Sequence, residues 1–239
     1  MQALILAGGL GTRLRSVISD KPKPMATVEN KPFIEYQLAW LKEHGVAEAV
    51  LCVGYLHEQI REYFGDGERW GINLGYSVET ELLGTAGALK LAQPSVRGTF
   101  LVLNGDSYFD VDLRRLVQFH RHMKSEHGGL GTLALTEIQD AREYGAVTLG
   151  EGDRILRFEE KSAAAGAAKT INAGIYVLEP EILDFIPAVT KVSLEREIFP
   201  AVLRQGRPLF GHTMSGYFVD IGTPSGYLEF QKHIAGKHA

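Results

Sequence analysis

The chain has 239 residues, 45% of them hydrophobic and 23% charged, with a formal net charge of −4. That length and balance describe an ordinary globular chain able to bury a full core without disulfide or metal staples. The acidic balance excludes a general nucleic-acid binder, which needs cations spread over a face, but leaves room for a small anionic ligand in one cleft. The only cysteine, Cys52, lies in the apolar run Ala49–Val53 and is expected to be a small core residue. The start lacks the basic region and long apolar stretch of a signal peptide, and no run is long enough to span a membrane. A cytoplasmic protein without membrane or nucleic-acid partners is expected.

In chain order, Ala3–Ala7 is a short apolar run that ends in glycines, the mark of a buried strand. Pro32–His44 places Ile34, Leu38 and Leu41 on one helical face, with Pro32 in the first turn and Gly45 as terminator. Ala49–Val53 and Asn73–Val78 are strand-like. Thr85–Ala92 reads as a helix, with Pro94 just beyond it. Thr99–Leu103 is strand-like and Leu113–Lys124 helical, with Asp110 and Asp112 read as turn or cap residues. Strand and helix alternating at this spacing predict an α/β fold, with a mostly parallel sheet flanked by helices. Beyond that, Leu130–Glu137, Ala146–Leu149, Arg154–Phe158 and Ile171–Leu178 are strand-like, Gly150–Asp153 forms a hairpin turn, and Pro224–Ile234 is a closing helix. This half is expected to be a smaller α+β part packed onto the first, with Ser162–Lys169 a mobile loop. No linker interrupts the chain, so a single domain 1–239 is expected.

Ligands of such sheets bind beyond the carboxyl ends of the strands. Three unusual loops sit there: Gly8–Arg15, Asn104–Asp110 and Val219–Thr223. In Ala7-Gly8-Gly9-Leu10-Gly11-Thr12-Arg13 the glycines let backbone N–H groups approach a phosphate, while Arg13 and Arg15 add positive charge. It is not a P-loop, since no Gly-Lys-Ser/Thr follows at the required spacing. Nor is it the dinucleotide fingerprint, because Leu14 stands where that pattern has its third glycine. Lys21-Pro22-Lys23-Pro24 follows, with two prolines that restrict the chain and aim the lysines.

Gly-Gly-x-Gly-Thr-Arg-Leu followed by Lys-Pro-Lys-Pro resembles the signature of the sugar-1-phosphate nucleotidylyltransferases, and the resemblance runs over nearly the whole chain. It implies a Rossmann-like, mostly parallel mixed sheet of the nucleotide-diphospho-sugar transferase type. Residues 1–112 would mainly bind nucleotide; 113–239 would supply the sugar-binding part and closing helices. Leu6, Ala7, Gly8, Gly9, Gly11 and Thr12 would wrap the nucleotide phosphates, with Arg13 and Lys23 as the catalytic cations. Glu79-Thr80-Glu81-Leu82-Leu83-Gly84-Thr85 resembles the nucleoside-binding segment. There Gly84 leaves room for a flat base and Thr85 opens a helix. The Glu81 carboxylate suits the paired N1–H and N2–H donors of guanine, although Glu79 and Glu81 also read as solvated strand-end charges.

Asp106 and Asp220 match the family's metal-binding aspartates, which implies Mg²⁺ held by one or two carboxylates plus phosphate oxygens and water. On the sugar side the resemblance implies hydroxyl and phosphate contacts from Asn104, Gly145, Glu160, Lys161, Asn172 and Gly174. Ser162 replaces the proline that many relatives carry after the Glu-Lys pair, which bears on the pose of Lys161. The chain ends soon after Asp220, so a monofunctional enzyme without an appended acyltransferase is expected, as a monomer or small homo-oligomer.

The expected partners are a nucleoside triphosphate and a sugar 1-phosphate. Ser193-Leu194-Glu195-Arg196-Glu197-Ile198-Phe199-Pro200 adds a likeness to guanylyltransferases acting on manno-configured heptose or hexose. The expected activity is therefore GTP with D-glycero-α-D-manno-heptose 1-phosphate or mannose 1-phosphate, serving cell-surface glycan synthesis. The alternatives are uridylyl or thymidylyl transfer to N-acetylmuramic acid 1-phosphate or glucose 1-phosphate, or a silent regulatory paralogue. The histidines have no metal-ligand spacing, and Gly-x-Ser-x-Gly is absent.

Overall fold

The computed structural model describes residues 1–9, 11, 14, 21–139, 144–159 and 169–237, residue 159 by its backbone alone. Expectations that fall on Thr12, Arg13, Arg15, Glu160, Lys161 and most of the 162–169 loop lie outside the described residues.

One nine-stranded mixed sheet runs through both halves. Its parallel part is β5(Asn73–Val78), β4(Glu48–Val53), β1(Gln2–Ala7) and β6(Phe100–Asn104), in that order. The chain leaves β1 towards β4 and returns on its other side at β6. That reversal opens a crevice above the carboxyl ends of β1 and β6, the usual ligand position in such sheets.

The second half extends this sheet. β11(Lys169–Leu178) lies antiparallel against β6. It also pairs with β8(Gly131–Ile138), which carries β12(Leu209–Thr213) in parallel, and touches β9(Ala146–Leu149), itself paired with β10(Ile155–Glu159). The expected hairpin turn is a 3-10 turn over Glu151–Asp153. A smaller antiparallel pair, β7(Ser107–Asp110) with β13(Tyr217–Asp220), stands at the crevice mouth; β2(Thr27–Val28) and β3(Lys31–Pro32) form another beside it.

Helices cover both faces because side chains alternate along β1. Ala3 and Ile5 join one core, with Phe33, Leu38 and Leu41 of α1(Phe33–Glu43). The same core includes Ile60 and Phe64 of α2(His57–Phe64), Leu113 and Leu116 of α4(Leu113–His127), and Phe230 of α6(Pro224–Lys237). Leu4 points to the other core, with Leu89 of α3(Gly84–Leu91) and Phe199 of α5(Phe199–Arg204). Each large apolar side chain fully buried this way contributes about 1.5–3 kcal/mol.

Cys52 is a core residue as expected, and burial pushes its thiol pKa up to about 12. Pro32 lies in β3 and precedes α1 instead of opening it. Asp112 caps α4, accepting from the Arg114 N–H at 3.0 Å, whereas Asp110 ends β7 and pairs with Lys237 at 2.9 Å.

Candidate active site

A cleft of about 400 Å³ occupies the crevice at the ends of β1 and β6. Leu6, Ala7, Gly8, Gly9 and Gly11 form one wall, with Lys23 beside them. Gly84 and Thr85, at the start of α3, form a second. Asn104, Gly105 and Asp106, following β6, form the third. Two of the three loops singled out in the sequence, those after β1 and β6, thus meet in one place, while the start of α3 takes the third wall and Val219–Thr223 does not line the cleft.

The local geometry explains several residue types. Gly11 has φ +59, and a Cβ there would lie 2.9 Å from Cβ of Lys23, so this glycine allows the lysine to pack against the loop. Lys23 lies in a short 3-10 turn, Lys23–Met25, opened by Pro22 and Pro24. Its ammonium forms an ion pair with the Asp106 carboxylate across the cleft. Asp106 sits on a tight turn tied on both sides. The Gly105 N–H donates to Leu6 O at 2.9 Å, and the Ile221 N–H donates to Asp106 O at 2.8 Å.

The side-chain amide of Gln37, 1% exposed on α1, donates to both Asn104 O and Ser107 O at 2.8 Å. One buried glutamine therefore clamps the turn that carries Asp106. In the sequence it is only a polar residue within an amphipathic helix.

Asp220 ends β13 opposite Ser107, the residue after Asp106, so the two aspartates lie at the same end of the small sheet. Its Oδ1 accepts from the Gly222 N–H at 2.6 Å. Two hard carboxylate donors next to a phosphate-sized cleft fit Mg²⁺, which takes few protein ligands and completes its shell with phosphate and water. Among the described residues no group of three or more His, Cys, Asp or Glu forms an all-protein metal cage.

Glu79 lines the cleft, and Glu81 does not. Glu81 is exposed in an adjoining depression with Tyr55, His57 and Thr80. Glu79 is 9% exposed, with Oε2 accepting from the Leu83 N–H at 3.0 Å. Its Oε1 lies against Gly8 and Gly54, where any side chain would collide with it. Burial raises its pKa above the usual carboxylate range, against the lowering effect of the Leu83 hydrogen bond. Lys191 also lines the cleft and carries no sequence signal of its own.

The sugar-side expectations sit on β11 and around it. Asn172 Nδ2 donates to the Tyr176 hydroxyl at 2.8 Å, and Asn172 Oδ1 accepts from the Gly174 N–H at 2.9 Å. Gly174 packs against the side chain of Asn104. Oδ1 of Asn104 is a buried acceptor with no partner among the described residues. Gly145 O faces the Asn172 N–H at 3.4 Å, just before β9.

Sheet, cleft and opposed charges together define an α/β enzyme that handles a phosphorylated nucleotide. The sequence matches the Nucleotidyl transferase family over residues 2–237. It is 41% identical over 232 residues to a D-glycero-alpha-D-manno-heptose 1-phosphate guanylyltransferase of Campylobacter jejuni, covering 96% of this chain and 98% of that one. It is 37% identical to a UTP–glucose-1-phosphate uridylyltransferase of Synechocystis, covering 96% of this chain but 62% of the longer relative. The crystal structure of HddC from Yersinia pseudotuberculosis complexed with GMP-PN is 28% identical and superposes with a TM-score of 0.84, over 98% of this chain and 99% of that one. The chain belongs to the nucleotidyl transferase family, on its sugar-1-phosphate nucleotidylyltransferase branch.

Proposed function

We propose that the enzyme transfers guanylyl from GTP to a manno-configured sugar 1-phosphate, D-glycero-α-D-manno-heptose 1-phosphate or mannose 1-phosphate. The observation that carries the nucleotide part of this reading is the buried Glu79 carboxylate in the cleft wall, while the sugar part is supported by the 41% identity to a heptose 1-phosphate guanylyltransferase. Guanine offers two adjacent donors on one edge, N1–H and N2–H, and an ionised carboxylate accepts both. Uracil and thymine offer one. Glu81, which the sequence offers for this role, lines the adjoining depression, whereas Glu79 lines the cleft.

In the proposed reaction a phosphate oxygen of the sugar 1-phosphate attacks the α-phosphorus. A P–O bond forms there as the bond to pyrophosphate breaks in line, so no covalent enzyme intermediate is needed. The protein contributes position and charge. Backbone N–H groups of the Gly8–Gly11 loop hold the triphosphate, and the Lys23 ammonium neutralises charge building on the α-phosphate and leaving oxygens. Arg13 is assigned to the same charge, Glu160 to a sugar hydroxyl and Lys161 to the sugar phosphate, on sequence resemblance. The buried Asn104 Oδ1 is placed to accept from a sugar hydroxyl. Asp106 and Asp220 would hold Mg²⁺, which supplies charge neutralisation of phosphate oxygens when bound.

The test is pyrophosphate release from purified enzyme with Mg²⁺, each nucleoside triphosphate in turn, and heptose, mannose, glucose and N-acetylmuramic acid 1-phosphates. Fastest release is expected with GTP and a manno-configured sugar. Preference for UTP or dTTP would overturn the nucleotide assignment, and silence with every pair would favour a non-catalytic paralogue.

A further inference from the structure

Beneath the cleft, one carboxylate joins its nucleotide side to its sugar side. Glu195 lies in a π-helical turn, Leu194–Ile198, capped by Ser193. Its Oε1 accepts from the Tyr176 hydroxyl at 2.9 Å. Its Oε2 accepts from the hydroxyls of Thr85 at 3.0 Å and Ser193 at 2.8 Å. Thr85 opens α3 and lines the cleft, and its Oγ1 in turn accepts from the Leu194 N–H at 2.8 Å. Tyr176 lies in β11, fully buried, and its hydroxyl also accepts from the side-chain amide of Asn172 at 2.8 Å.

Every donor in this network has an acceptor, and hydroxyl and amide directions are set by the single charge at its centre. The segment before Glu195 is fastened to the same helix start. The Ala86 N–H donates to Val192 O at 3.0 Å, and the Val192 N–H donates to Leu83 O at 2.9 Å. Backbone bonds thus hold the chain near α3, and the Glu195 carboxylate extends that hold to the Tyr176 hydroxyl of β11. Satisfied buried polar networks of this kind fix one geometry at the expense of others.

We infer that Glu195 is a positioning residue for the transfer step: it sets the distance between the nucleotide-side helix α3 and the sugar-side residue Asn172. This rests on the reading that one substrate lies on each side of the cleft. Displacement in line demands that attacking oxygen, phosphorus and leaving oxygen stay aligned, and a shift of about 1 Å can cost on the order of 10²-fold in rate. A residue that controls alignment without touching substrate acts on kcat more than on KM.

The experiment compares wild type with Glu195→Gln, Tyr176→Phe and Arg196→Gln, using the nucleotide and sugar phosphate pair that wild type turns over fastest. Glu195→Gln puts an amide donor where hydroxyl donors converge. Its kcat is expected to fall roughly 10- to 100-fold, with each KM changed less than about 3-fold. Tyr176→Phe removes one link but keeps the ring and should fall in the same direction by less. Arg196→Gln changes an exposed side chain of the same turn and should stay near wild type.

Unchanged kcat in both Glu195→Gln and Tyr176→Phe overturns the proposal. So does a loss seen only as raised KM for both substrates, or one matched by loss of folded protein in circular dichroism. If wild type releases no pyrophosphate with any pair, the functional reading fails instead, and the two failures are thereby separate.

Discussion

Two side chains in the cleft carry the sharpest expectations. Lys23 is a preorganised cation whose only described ion-pair partner is Asp106. Replacing it with alanine removes charge where the transition state gains it. A fall in kcat of roughly 10²–10³, or about 3–4 kcal/mol, is expected by analogy with the loss of one oxyanion donor. Steady-state pyrophosphate release measures it, and near-normal turnover would remove Lys23 from the mechanism. Glu79→Gln replaces one acceptor oxygen with a donor facing the base. GTP should lose about 10- to 100-fold in kcat/KM, the scale of a hydrogen bond to a charged group, while UTP and dTTP lose less. Because Glu79 must be ionised to accept both guanine donors and burial raises its pKa, the wild-type KM for GTP should rise on acidification sooner than an exposed glutamate would dictate. Equal losses for all nucleotides would count against base reading at this position.

Between residue and molecule, the start of α3 is the element most constrained by its neighbours. Gly84 has φ +72, and a Cβ there would lie 2.6 Å from Val192 O. The obstacle is backbone, which cannot swing aside as a flexible side chain can. Gly84→Ala should cost at least about 1–2 kcal/mol in denaturant unfolding and weaken nucleotide binding as well. Unaltered stability would show that the segment before Glu195 yields easily.

Much of this element structure is legible in the sequence because it rests on local signals: apolar runs for β1, β4 and β6, periodicity for α1 and α4, and glycine-rich loops after strands. What escapes depends on distant partners. Gln37 is buried because two carbonyls of the β6–β7 turn face it, and nothing near residue 37 announces them. Glu79 resembles a solvated strand end until Gly8 and Gly54 close around it. Helix α2 is short and polar, with only Ile60 and Phe64 buried, too few for a convincing stripe. β7 and β13 lie far apart in the chain, and each has the other as its strand partner. Arg13, Glu160 and Lys161 remain expectations from resemblance.

At the scale of the whole molecule, a second charged cluster lies away from the cleft and bears on acid stability. His120 is fully buried, with Nδ1 3.0 Å from Thr132 Oγ1 and Nε2 2.9 Å from Glu179 Oε1. Lys124 and Thr99 both donate to Glu179 at 2.8 Å. Burial holds the His120 pKa below its ordinary 6.5, despite the opposing pull of Glu179. Burial acts to raise Glu179, but hydrogen bonds from Lys124, His120 and Thr99 together hold it below its ordinary 4.5. Both shifts have the same sign in linkage, since the unfolded chain takes up each proton at higher pH than the folded one. The histidine contribution is present above pH 6.5 and the glutamate contribution above pH 4.5, each being lost as pH falls through the folded value. The melting temperature should therefore drop on acidification from about pH 7 to about pH 4, and a flat profile would contradict the assignment. Glu179→Ala, which strands His120 and Thr99, should cost about 3 kcal/mol at neutral pH.

Helix α6 follows Asp220 directly, and its Tyr227 hydroxyl donates to Thr27 O at 2.5 Å, four residues after Lys23. Its Phe230 packs edge-on against Phe33 and Tyr36 of α1, the helix whose Gln37 holds the Asp106 turn. Lysine, both aspartates and clamp therefore all lean on α6. Loosening this helix would slacken the catalytic mouth and, through Tyr227 and Phe230, the core shared with Ala3 and Ile5 of β1.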